Sequence, residues 1–329
     1  MAFDDRDPTR SVQGEGWLHT WVASPRPAEP HELPPAPFTR DGCLLATTTL
    51  RQTVRTSIGG PRLRLRLSNA FGDTPLPITA ASVALPRDGR AGVAAIEPGS
   101  ARPVTFCGRP SVVVPAGAQM VSDPLDLEVP PRANLTVTLY LAEGLRSSSL
   151  TAHPGSRSTS YLATGNHVAA DDLPGATAID HWYLLGGLEV PAPSGAAVVL
   201  LGDSLTDGRG STTNANDRWS DLFLARLQAH GPTRGIAVLN QGSGGNRVLN
   251  DGLGPSVLAR LDRDVLAVAG VRWLVVLAGV NDIGTAEASP SAQKQVADDL
   301  IAAYEQIVLR AHPHGIRVYG GTLLPFGGN

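Results

Sequence analysis

Lysine is almost absent from this chain. Of its 27 basic residues only Lys294 is a lysine, and the formal net charge is −3. Nucleic acid and anionic membrane surfaces call for a basic balance, so neither is expected as a partner. Arginine dominance beside 36 glycines reads as composition bias, not as a phosphate-binding device. Cysteine is equally scarce. Cys43 and Cys107 stand too far apart for a metal-ligand spacing, which leaves one bridge or two free thiols. Long apolar runs are missing too, and no window reaches the length of a transmembrane helix. The first residues, MAFDDRDPTRSVQGEGW, hold no apolar signal-peptide core. As written, the chain is expected in the cytoplasm; an incomplete N-terminus would leave an extracellular location open.

What is present is globular: 329 residues, 42% hydrophobic and 17% charged, room for about two domains. Residues 1–38 read as an arm, because SPRPAEPHELPPAPF (24–38) is too rich in proline for regular structure. Residues 39–190 speak in strands. RLRLRL (62–67) alternates, with Leu63, Leu65 and Leu67 on one face and three arginines on the other, predicted as a solvated face. Segments 50–58, 111–114, 125–129 and 135–141 continue the pattern between Pro, Gly, Asn and Asp, which predicts a β-sandwich. Residues 191–195 read as a linker.

From 196 the period changes. AAVVLL (196–201) is apolar without alternation, the signature of a strand buried on both faces. Helical patterns at 217–230 (Trp219, Leu222, Phe223, Leu227), from Pro255, and at 291–311 alternate with strands at 236–239, 273–278 and 316–324. Such alternation requires a parallel sheet with right-handed crossovers. Residues 196–329 are therefore expected to form an α/β domain.

Three strand ends carry unusual chemistry: Gly202-Asp203-Ser204, then the loop Asn240 to Asn246, then Gly279-Val280-Asn281-Asp282. Parallel strands bring their carboxyl ends to one edge, where open α/β sheets bind ligands. A serine after a strand is commonly a helix cap. Beside a glycine loop and an asparagine it suits acyl transfer, as a hydroxyl nucleophile with donors for an oxyanion. Candidate donors are the N–H of Ser204, the N–H of Gly245 (Gly244 if the loop register differs) and the Asn281 amide. Asp203 and Asp282 read as loop braces, and Arg247 as a solvated arginine or a substrate contact. A P-loop is excluded, since no Gly-Lys-Ser/Thr follows the glycines.

Gly202-Asp203-Ser204-Leu205-Thr206-Asp207-Gly208, the Asn240–Gly245 block and Gly279-Val280-Asn281-Asp282 resemble the first three motif blocks of the SGNH (GDSL) serine hydrolases. That resemblance implies a three-layer flavodoxin-like fold and ester hydrolysis without metal or organic cofactor. It implies Ser204 as nucleophile and oxyanion donor, with Gly245 and Asn281 completing the hole. Short acyl esters, including acetyl groups on carbohydrates, are the implied substrates. The sandwich half resembles, more weakly, the N-terminal β-domain of some bacterial members.

The family's fourth block, Asp-x-x-His, has no counterpart: no aspartate here is followed by histidine three residues on. The expectation is a chain stopping inside its catalytic domain, with an exposed sheet edge and an activity in doubt. His312 and His314 fall at the opposite edge of the sheet, and His153, His167 and His181 in the sandwich, so none is nominated as the base. The competing expectation is a catalytically silent fragment whose sandwich binds a carbohydrate or a surface partner.

Overall fold

The computed structural model describes residues 16–325. Two antiparallel sheets dominate its first part. One runs Trp17–Val22, Leu185–Pro191, Arg64–Ser68, Gln119–Val121 in spatial order. The other runs Thr177–Ile179, Ser160–Thr164, Thr48–Arg55, Asn134–Leu141, Ala80–Ala84, Arg102–Pro103. Alternate residues of both, among them Leu65, Leu67, Leu50 and Leu139, are buried in one apolar cluster.

Several expectations shift here. Segment 125–129 is not a strand; it makes only the isolated bridges Leu63–Leu125 and Gly60–Val129. Pro124, Pro130 and Pro131 flank it and cannot donate to a ladder. Both cysteines are free, Cys43 half-buried and Cys107 exposed.

The arginine face is the larger correction. Arg64 and Arg66 pair with the carboxylate of Glu189, at 2.6 and 2.8 Å, and Glu189 is only 1% exposed. Leu188 and Glu189 lie opposite Leu65 and Arg64 in the neighbouring strand, so the arginines neutralise a buried acid. His19 sits 3.5 Å from the same carboxylate. Burial pushes the His19 ring down from 6.5 to about 4; Glu189 opposes this, while Arg66 and Arg64 add to it. A histidine held neutral contributes stability above its unfolded value, and that contribution is lost as the pH falls from 6.5 toward 4. Denaturant midpoints are therefore expected to drop over that interval, and to drop less in His19→Gln.

The second part is a parallel sheet: β1 (Ala196–Gly202), β2 (Ile236–Gly242), β3 (Val271–Leu277) and β4 (Arg317–Gly320), in the order β2-β1-β3-β4. Five α-helices are interspersed among the described residues: α1 (Ser204–Asp207), α2 (Trp219–Ala229), α3 (Val257–Leu261), α4 (Val280–Thr285) and α5 (Pro290–Ala311). Val198, Leu200 and Val238 face α2, which buries Leu224 against them. Trp219, Phe223 and Leu227 pack against the same cluster, as expected, whereas Leu222, expected with them, is 58% exposed. Ala197, Val199 and Leu201 point the other way, into the cluster holding Val257, Leu261, Leu300 and Ile307. Each fully buried Val or Leu contributes about 1.5–3 kcal/mol.

That same cluster includes Leu18, Leu188 and Val190, so the strands on either side of 191–195 share one continuous core. On the far side, β4 pairs with β3 alone among the described residues. An apolar groove of about 560 Å³ lies between that edge and α5, lined by Leu300, Tyr304, Ile307 and Val318 among others.

Candidate active site

The register of the parallel sheet sets the site. Gly202 stands opposite Gly242 on one side and Leu277 on the other, so three strands end at one level. Ser204, the segment 243–246 and Asn281 follow directly. The structure thus places all three residues singled out in the sequence at the same edge. Ser204 opens α1 and is half-buried. Its hydroxyl makes no hydrogen bond among the described residues.

The neighbouring groups are heavily committed. Asp203 is buried and caps α1, accepting from the Leu205 N–H at 3.0 Å. Burial raises its pKa above the ordinary 3.8, with Asp282 and Asp207 adding repulsion against the Leu205 hydrogen bond. Asp282 accepts from the N–H groups of Val248 and Leu249, at 2.8 and 2.9 Å, and ties the third loop to the second. Both aspartates hold loops, as expected. Asn240 donates to the Thr206 carbonyl and the Ser220 hydroxyl, fixing the second loop to α1 and α2. Arg247 donates to the Asp251 carbonyl within its own loop.

Within the glycine loop the amides differ. The Gly244 N–H is taken by Asp207 Oδ2 at 2.9 Å. The Gly245 N–H donates to no acceptor among the described residues. Asn281 Nδ2 donates one hydrogen to the Asn246 carbonyl at 2.9 Å, and its second amide hydrogen is left for another acceptor.

Two buried residues that the sequence did not single out join this network. Arg260, within α3, reaches the Gly202 carbonyl, the Asn246 side chain, the Ser24 hydroxyl and Asp264. Only its i, i+4 spacing to Asp264 was visible in sequence. His153, from the antiparallel part, lies 2.9 Å from Asp207 Oδ1, and no local pattern announces that contact. His312 and His314 form a short turn after α5 at the opposite edge.

A half-buried hydroxyl, an uncommitted backbone N–H and a side-chain amide thus follow three neighbouring strand ends. Residues 200–329 match the model of the GDSL-like Lipase/Acylhydrolase family. The match covers the C-terminal part of the chain. An acetylxylan esterase of Geobacillus stearothermophilus is 29% identical over 129 residues, 36% of this chain and 56% of the relative. Among solved structures, the acetyl xylan esterase AlAXEase is 22% identical with a TM-score of 0.28, covering 38% of this chain and 56% of that one. A Bacillus subtilis protein is 13% identical with a TM-score of 0.27, covering 94% and 66%. The chain thus spans little more than half of the curated relative it matches.

Proposed function

We propose that this protein hydrolyses short acyl esters, acetyl groups on carbohydrates among them, through an acyl-enzyme on Ser204. The wider architecture proposed with it is a three-layer GDSL domain packed on an N-terminal β-sandwich. Ser204 Oγ attacks the ester carbonyl carbon. The bond to the alcohol oxygen breaks, and the serine proton leaves with the alcohol by way of a base. Water then attacks the acyl-serine and releases the acid. The N–H groups of Ser204 and Gly245 and the Asn281 amide receive the oxyanion.

One observation carries the choice of Gly245 over Gly244: the Gly244 N–H is already spent on Asp207. The acetylxylan esterase relative supports the acetyl-ester class. No described histidine is assigned as the base. His312 and His314 are at the wrong edge, and His153 spends both ring nitrogens on Ser24 and Asp207.

The test is pre-steady-state hydrolysis of 4-nitrophenyl acetate. The reading expects a nitrophenol burst approaching one equivalent, followed by a slower steady rate that acetylated xylo-oligosaccharide inhibits competitively. Nitrophenol release no faster than in buffer would sink it.

A further inference from the structure

The motif residue Asp207 lies three positions after Ser204 and is 3% exposed. Its two carboxylate oxygens face different parts of the molecule. Oδ2 accepts the Gly244 N–H, and Oδ1 lies 2.9 Å from His153 Nε2. Its backbone carbonyl accepts from Arg218 Nε at 3.0 Å, and Arg218 in turn donates to the Ser156 carbonyl. The packing is tight enough to require two glycines. A Cβ on Gly155 would fall on the Asp207 carboxylate, and one on Gly242 on the Asp207 backbone nitrogen. Asp207 is thus gripped between the antiparallel part and the second loop.

The other nitrogen of His153, Nδ1, lies 2.9 Å from the Ser24 carbonyl. Both ring nitrogens thus face oxygen atoms, a carbonyl on one side and a carboxylate on the other. The ring is stacked on Trp182, with centroids 5.5 Å apart, and Trp182 is itself fixed through its Nε1 to the Thr53 carbonyl. Ser24 closes the circuit, because its hydroxyl accepts from Arg260, which holds Asn246 and Gly202. Asn281 then bonds the Asn246 carbonyl. A closed ring results: Ser24, His153, Asp207, the glycine loop with Asn246, and Arg260 back to Ser24.

We infer that His153 is a positioning residue for the oxyanion loop: through Asp207 it fixes the Gly244–Gly245 segment, so the antiparallel part is a working component of the hydrolase site. This rests on the proposed role of Gly245. The geometry explains why the effect falls on turnover. Gly244 fixes the peptide whose next N–H meets the oxyanion, an interaction made only as the tetrahedral intermediate forms. Misplacing such a donor by about 1 Å costs on the order of 10²-fold.

The experiment compares the full chain with His153→Ala and His153→Gln, reading kcat and KM on 4-nitrophenyl acetate and amide hydrogen exchange at Gly244. The alanine variant is expected to lose roughly 10–100-fold in kcat with KM within about twofold, and to exchange Gly244 faster. In H153Q the Gln amide can still donate to Asp207, so kcat returns to within several-fold and Gly244 stays protected. A folded H153A with unchanged kcat and unchanged Gly244 exchange overturns the inference, as does a rise in KM alone. If H153A does not fold, H153Q decides: protection at Gly244 supports the clamp, and its loss overturns it. If the parent chain shows no Ser204-dependent turnover, the functional reading fails, and Gly244 exchange alone judges the role of His153.

Discussion

Ser204→Ala is expected to lower hydrolysis of an activated acetate ester by at least about 10³-fold, leaving KM little changed. The substitution removes one oxygen from a half-buried position and leaves every brace around it intact. Asp203 still caps α1, Asp207 still holds Gly244, and Asn281 still bonds Asn246. What survives is the oxyanion hole and substrate binding, which together retain roughly 10³–10⁴ over water in serine hydrolases stripped of a catalytic group. A large loss in kcat with unchanged unfolding behaviour therefore isolates the chemistry of the hydroxyl. A loss below about tenfold would mean that Ser204 merely opens α1 and is not the nucleophile.

The second large effect is on stability. Arg260→Met is expected to destabilise the chain by about 3–5 kcal/mol, read from urea unfolding at neutral pH. Arg260 is 2% exposed and makes four hydrogen bonds, to Asn246, Ser24, Asp264 and the Gly202 carbonyl, at 2.9–3.1 Å. Burial pulls its pKa below the ordinary arginine value, against the pull of Asp264, yet the group remains a cation at neutral pH. Methionine matches the length of the stem and offers no donor, so the Asn246 and Ser24 oxygens lose a buried partner. Asp264 keeps Arg263, which limits the loss at that end. Arg310→Ala provides the contrast. Its partner Asp262 is 73% exposed, and removing an exposed pair costs about 0–1 kcal/mol. Equal, small effects at the two arginines would contradict the hub assigned to Arg260.

The parts of the site that were legible in sequence are those written in short range. AAVVLL followed by Gly-Asp-Ser announces a buried strand and its end within nine residues. Parallel pairing then brings the second and third ends beside the first without further information. The loop braces at Asp203 and Asp282 follow from the same segments. Alternation, by contrast, says only that residues share a face, not what covers it. Arg64 and Arg66 looked solvated because their partner, Glu189, lies more than 120 residues away. On α2 Leu222 was misplaced for a similar reason, since Leu222 and Leu224 are equally apolar and only the sheet beneath decides between them. His153 and Ser24 belong to this second group. Their link to Asp207 and Arg260 spans both parts of the chain, and no periodicity in either part encodes it. A split of the molecule at 191–195 therefore misses what fastens the two parts. The shared core across that segment and the ring through Ser24 argue against a sandwich that works apart from the hydrolase edge.

The most direct test is to trap the nucleophile. The full chain is incubated with a fluorophosphonate ester, and the adduct is located by peptide mass spectrometry. The account predicts a single stoichiometric phosphonyl adduct on Ser204, absent in S204A. An unmodified Ser204 in folded protein, or an adduct on another serine that persists in S204A, would contradict it.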